Sequence, residues 1–180
     1  MAVHITYFVH GTTTDNEQGI ATGWNPGKLS PLGLQQAEEL KAIVTDMSFD
    51  AVFSSDLKRA VDFAAIVFPE HAVFSDERLR EANYGDFNGK RSDQFKTDPT
   101  KYIHTSFPLG ESYKDVEVRL QNFLESIKNN YDGKTVAIVA HQAPQLALEV
   151  LLNGKSWKQA IAEDWRNTDQ FQPGWDYVLS

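Results

Sequence analysis

The sequence predicts an α/β fold, a three-layer α/β/α sandwich on a mostly parallel sheet, and three observations predict it. Short apolar runs alternate with amphipathic stretches from the N-terminus, in the order β-α-β-α-β. The runs at 3–9 and 135–140 show little polar alternation, as strands covered on both faces do. Each run stops at a histidine, His10 or His141, and the C-terminal edge of parallel strands is where an open α/β sheet places its chemistry.

Taken in order, the first strand is followed by a long loop at 11–29 carrying Asn16, Gly19, Gly23, Trp24, Asn25, Pro26 and Gly27. A loop of that length without elements of its own tends to be functional. Ser30 and Pro31 then open a helix, with Ser30 as N-cap and Leu34, Ala37, Leu40 and Val44 as its apolar stripe. A second buried strand covers 49–53. Ser54, Ser55 and Asp56 form an N-cap cluster for a helix through Leu57, Ala60, Ala64, Ala65 and Val67, which ends before Pro69. A short strand is expected at 72–74. Turn formers crowd 83–89, a weakly helical stretch covers 92–96, and a loop punctuated by proline covers 98–108. Ser112 caps the longest helix, with Asp115 placed for the reciprocal bond and Val116, Leu120, Phe123, Leu124 and Ile127 as its stripe. A strand at 135–140 leads to a helix at 146–152 ended by Asn153 and Gly154. A polar helix at 157–165, then Pro173 and Gly174, precede a short edge strand at 175–179.

Composition narrows the function. A length of 180 residues suggests one domain across 1–180, and 41% hydrophobic with 23% charged residues is ordinary for a globular chain. A net charge of -8 without a long basic run argues against nucleic acid as a partner but leaves room for a local basic pocket. The absence of cysteine removes disulfides, thiolate metal sites and a thiol nucleophile. No apolar stretch approaches a membrane span, so no membrane association is expected, and without a signal-like N-terminus the expected location is the cytoplasm. The histidines His4, His10, His71, His104 and His141 show no metal-binding spacing, and there is no P-loop, Rossmann glycine pattern or Gly-x-Ser-x-Gly elbow.

Four positions stand out, each with a bland reading beside the functional one. His10 is either a histidine satisfied by backbone at a strand end or a reactive group beside Gly11, the hydroxyls of Thr12, Thr13 and Thr14, and Asn16, a set of donors suited to an anion. His141 has the same two readings. A helix starting directly after it would turn the N–H groups of Gln142 and Ala143 toward an anion. Arg59 is a solvated helix arginine or, one turn into a helix at the same sheet edge, a fork for phosphate oxygens. Glu81 is a surface carboxylate or a proton donor to a leaving oxygen.

Six blocks in order carry a resemblance. They are His10-Gly11 with Thr13 and Asn16; the helix opening around Leu32 to Ala37; Ser54-Ser55-Asp56-Leu57-Lys58-Arg59-Ala60; Leu79-Arg80-Glu81 with Gly85 and Gly89; Gly110-Glu111-Ser112; and Ala140-His141. Together they resemble the histidine phosphatase superfamily, also called phosphoglycerate mutase-like, and they span most of the chain. The resemblance implies that His10 attacks phosphorus and becomes phosphorylated. It implies that Arg59, His141 and Asn16 hold the phosphoryl oxygens, while Glu81 gives a proton to the leaving group and later takes one from water. Gly11, Thr13, Asn16 and Gln142 are then the expected substrate-binding residues. Such a mechanism calls for no cofactor and no metal.

The chain departs from the family pattern at Val9, where the family has Arg, at Thr12, where it has Glu or Gln, and at the run Gln142-Ala143-Pro144-Gln145. Losing a preorganised cationic donor costs on the order of 10²–10³ in rate, so a weakened enzyme is expected unless another cation substitutes. Arg80, Lys28 and Arg91 are the candidates. Gln142 or Gln145 is a further candidate donor. The expected activity is hydrolysis of a small phosphomonoester. The alternative is an inactive member that binds a phosphorylated ligand or a protein, and 180 residues leave little room for the inserts of a mutase. The site is expected under the loops 11–29 and 98–110, with Trp24, Tyr84 and Phe107 either lining it or packing those loops.

Overall fold

The computed structural model describes residues 1–167 and 174–180. In chain order the elements are β1 (Val3–Val9), α1 (Thr14–Glu17), β2 (Ile20–Ala21), α2 (Pro31–Val44), β3 (Ala51–Ser54), α3 (Lys58–Val67), β4 (Val73–Ser75), β5 (Lys90–Arg91), α4 (Tyr113–Asn130), β6 (Thr135–Ala140), α5 (Gln142–Leu151), α6 (Trp157–Ala162) and β7 (Trp175–Leu179), with several single 3-10 turns between them.

Alternation along the strands sorts two cores. Val136 and Ile138 of β6 point to one face with Ile5 and Tyr7 of β1, where α4, α5 and α6 cover them. Ala137 and Val139 point to the other with Phe8, where α2 and α3 cover them through Ala37, Leu40, Val44, Phe63 and Val67. Among the described residues the main sheet runs β4-β3-β6-β1-β7, parallel except for β7. This is the three-layer α/β/α arrangement the sequence predicts. The stripe of α4 from Val116 to Ile127 is buried as expected, and burying each such side chain contributes roughly 1.5–3 kcal/mol. Ser112 and Asp115 form the reciprocal cap.

Several local expectations change. The loop 11–29 contains α1 and β2, and β2 pairs antiparallel with β5. The two-stranded ribbon explains how so long a connection holds a shape. Leu34 is exposed, and Gly33 takes its place against the sheet end. A Cβ on Gly33 would lie 2.0 Å from the Thr12 carbonyl, so only glycine lets the start of α2 come that close. In α3 the N-cap is Leu57 with no side-chain bond, although Ser55 Oγ accepts from the Leu57 N–H at 3.2 Å. Phe63 rather than Ala65 completes its buried face. Helix α5 begins at Gln142, four residues before the periodicity alone suggested. The expected turn residue Pro173 lies outside the described residues, and β7 forms as predicted. Among the described residues no helix is long and apolar enough to cross a membrane.

Candidate active site

The register of β1 and β6 brings the two histidines together. Val9 lies opposite Ala140, and the His10 N–H donates to the Ala140 carbonyl at 3.1 Å, so each histidine is the next residue past a paired position. Neighbouring strands lie about 4.8 Å apart, and the two imidazole rings meet edge to face with centroids 5.0 Å apart. Tyr7 holds the second strand end. Its hydroxyl donates to the His141 carbonyl at 2.7 Å and accepts from the His141 N–H at 3.0 Å.

The two rings are treated differently. His10 Nδ1 lies 2.7 Å from the Gly11 carbonyl, which only accepts, so Nδ1 carries the proton. Its Nε2 lone pair accepts from Arg59 Nε at 3.2 Å. Burial, then the Arg59 charge, pushes the His10 imidazole down to about 3, against an upward pull from the Gly11 carbonyl. His10 is therefore a neutral base. The His141 ring is fully buried, and among the described residues neither of its nitrogens has a hydrogen-bond partner. Burial, then the charge of Arg59, holds its pKa well below the usual value. An orphaned buried imidazole requires an explanation, and a ligand oxygen is one.

Arg59 is the second residue of α3 rather than a full turn inside it, and only 2% of its surface is exposed. Nη1 donates to the carbonyls of Asn25 (2.8 Å) and Pro26 (3.3 Å), and Nη2 to that of Gly23 (2.8 Å). With Nε on His10, four of its five N–H donors are committed. The loop residues the sequence singled out as turn formers thus serve to aim one guanidinium.

Glu81 is buried at the start of α5. Its Oε1 accepts from the N–H groups of Ala82 (2.8 Å) and Ala143 (3.0 Å). The helix N-terminus expected to hold an anion is occupied by the chain's own carboxyl group, that of Glu81. The Glu81 carbonyl accepts from Trp24 Nε1 (2.7 Å) and Arg119 Nη2 (3.0 Å), and Arg119 is paired with Glu111 at 2.9 Å. Arg119 was not singled out in the sequence, where it reads as one more helix charge.

His10, Arg59 and Glu81 face a cavity of about 390 Å³ that also takes in Val9, Gly11, Thr12, Asn16, residues 19–23, Tyr84, Ser92, Lys96, Gln142, Trp165 and Arg166, whereas His141 lies behind His10, its ring against the His10 ring, and does not itself line the cavity. That size suits a small ligand. Asn16 Oδ1 accepts from the Thr13 N–H at 3.0 Å, so its amide NH₂ is the part left for the cavity. Thr13 does not reach the cavity. It is fully buried and caps α1, its hydroxyl accepting from the Asn16 N–H. Gln142 lines the cavity, but its amide donates to Asp164. Gln145 is turned away, donating to Tyr177 at 2.9 Å.

The roof differs from expectation. Loop 11–29 contributes, but 98–110 does not, because Phe107 is drawn into an aromatic cluster with Tyr84, Phe95, Tyr102 and Tyr113. Of the three aromatics considered, only Tyr84 faces the cavity; Trp24 and Phe107 hold the loops. Three cations considered at position 9's expense are elsewhere. Arg80 pairs with Asp56 and lies over Trp24, Arg91 pairs with Asp93, and Lys28 is exposed and off the cavity. Besides Arg59, the cations that line the cavity are Lys96 and Arg166. Lys96 Nζ stands 4.6 Å from the Tyr84 ring centre, and burial lowers its pKa while the Glu81 charge opposes the shift. No local sequence signal marks either one. Among the described residues no cluster of three or more His, Asp or Glu has the arrangement to hold a metal ion.

A family model described as the histidine phosphatase superfamily (branch 1) matches residues 7–170. The phosphatase PhoE of Bacillus subtilis (strain 168) is 30% identical over 147 residues, covering 81% of this chain and 75% of that one. A 2,3-bisphosphoglycerate-dependent phosphoglycerate mutase of Methylobacterium sp. (strain 4-46) is 30% identical over 164 residues, covering 81% and 78%. The structure of Bacillus stearothermophilus YhfR superposes with a TM-score of 0.79 at 27% identity, covering 88% of this chain and 83% of that one.

Proposed function

The chain belongs to the histidine phosphatase superfamily, branch 1, and from that premise we propose that it hydrolyses a small phosphomonoester through a phosphohistidine on His10. The observation that carries this reading is the state of His10: neutral, its proton fixed on Nδ1 by Gly11, its Nε2 lone pair at the cavity under Arg59 Nε. A covalent route needs such a nucleophile.

When a phosphoryl group enters, its oxygens take the Arg59 Nε donor and release the Nε2 lone pair. Nε2 attacks phosphorus, the N–P bond forms and the ester P–O bond breaks. Arg59, Asn16 and His141 hold the equatorial oxygens, and His141 gains a partner for a buried ring that has none among the described residues. Phosphoryl transfer depends chiefly on such positioning and charge stabilisation. Glu81, with Oε1 tied to two N–H groups, presents Oε2 to the leaving oxygen and gives it a proton. Water then attacks phosphorus, giving a proton to Glu81; the new O–P bond forms as the N–P bond to His10 breaks. Phosphate leaves, and His10 is restored. Gly11 lets the nucleophile's loop lie against α2, since a Cβ there would be 2.7 Å from the Gly33 carbonyl.

The test is hydrolysis of p-nitrophenyl phosphate by the protein and by His10→Ala, each with EDTA. Turnover that survives chelation and vanishes in the variant supports the reading. Turnover equal in both proteins overturns it and favours a ligand-binding role.

A further inference from the structure

We infer that Arg166 is the second guanidinium of the phosphate site, reaching it from the C-terminal part of the chain; the inference rests on the hydrolase reading above. Arg59 has four N–H donors committed within the protein, three of them to backbone carbonyls. A phosphoryl dianion needs more than the one or two donors that remain. Residue 9, beside the nucleophile, is a valine that lines the cavity and offers no charge.

Arg166 lies on the 3-10 turn Trp165–Asn167 and lines the same cavity as His10, Arg59 and Glu81. Its backbone N–H and Nη1 both bond Asp164 Oδ1, at 3.1 and 2.7 Å. Gln142, the first residue of α5, donates to the other oxygen of Asp164. Asp164 is buried, so this bracket fixes the guanidinium to the helix that follows His141. Arg166 also lies against the Trp165 ring, 4.8 Å from its centre. Its Nη2 is buried and has no hydrogen-bond partner among the described residues. A buried N–H of a charged group left without an acceptor is costly, and an incoming phosphoryl oxygen would satisfy it. The Arg166 charge is felt at His10, where it helps depress the imidazole. Gln142 therefore acts through Asp164 and Arg166 rather than on phosphate directly.

The experiment compares the protein with Arg166→Met, Arg166→Lys, and Val9→Arg placed in the Arg166→Met chain. Two readouts are used: p-nitrophenyl phosphate turnover and inorganic phosphate affinity by calorimetry. Loss of one preorganised donor is worth about 10²–10³ in rate, so Arg166→Met should lose that much kcat/KM and bind phosphate more weakly. Arg166→Lys should retain part of the activity, and Val9→Arg should restore much of what Arg166→Met loses. Unchanged turnover and phosphate affinity in Arg166→Met would overturn the inference while leaving the hydrolase reading intact. Lost turnover with unchanged phosphate affinity and no rescue by Val9→Arg would also overturn it, as a structural role. If the starting protein does not turn over, the hydrolase reading fails, and phosphate affinity that depends on Arg166 still decides the inference.

Discussion

His10 and His141 end neighbouring parallel strands one residue past the same register pair, yet the chain treats them oppositely. His10 has its ring satisfied on both nitrogens and its backbone N–H held by the ladder. His141 has its backbone clamped on both sides by Tyr7, and its ring has no partner at either nitrogen among the described residues. The difference teaches how two similar residues are assigned different work. A nucleophile needs a defined tautomer with its lone pair at the cavity, so the partners go to the ring. A donor to an incoming oxygen needs a fixed position and a vacant ring, so the partners go to the backbone.

The sharpest way to break this comparison after His10→Ala is His141→Gln. If His141 contributes one preorganised donor, kcat should fall roughly 10²–10³-fold with the fold retained; turnover like the parent's would remove His141 from the phosphate site. Tyr7→Phe should act more weakly. It leaves the His141 N–H and carbonyl buried without their partner, worth about 1–3 kcal/mol of stability, read as a shift of the urea midpoint, and it should lower kcat less than His141→Gln does. A kcat loss larger than that of His141→Gln would mean that the hydroxyl itself does chemistry.

The smallest effect is in pH dependence. The His10 pKa is depressed from 6.5 to about 3 in the folded chain. The unfolded chain therefore binds the proton more readily, and the stability from neutral His10 is present above about pH 6.5 and lost progressively as pH falls toward about 3. Replacing His10 by Gln should flatten the decline of the urea midpoint over that window. Imidazole nitrogen spectra should show His10 neutral from about pH 8 to about pH 5. Protonation near its ordinary value would undo the assignment of His10 as the pre-set base.

Reading the site from sequence succeeds where a residue's position follows from its own strand or helix. His10 and His141 are legible because apolar runs stop at them, and Arg59 because a capping cluster precedes it. Thr13 was misplaced because a hydroxyl beside a reactive histidine and a hydroxyl capping a four-residue helix look the same in the chain. Leu34 was placed on the buried stripe because periodicity does not reveal that Gly33 must touch Thr12. Arg119, Lys96 and Arg166 carry no local pattern. Their neighbours at the site, Glu81, Tyr84 and Gln142, lie far from at least two of them in sequence.

What the sequence determined alone was the set of elements and the edge of the sheet at which reactive groups collect. Apolar periodicity, caps and strand ends act over a few residues, and those interactions are written locally. The tertiary structure decided which charges share the cavity and which are spent on one another. Arg80 and Arg91 went to Asp56 and Asp93, while Arg166, braced by a buried carboxylate, reached the cavity. The Arg80–Asp56 pair and the meeting of Arg166 with Arg59 at one cavity depend on distances between segments that only packing brings together, and charge interactions weaken with separation and solvent.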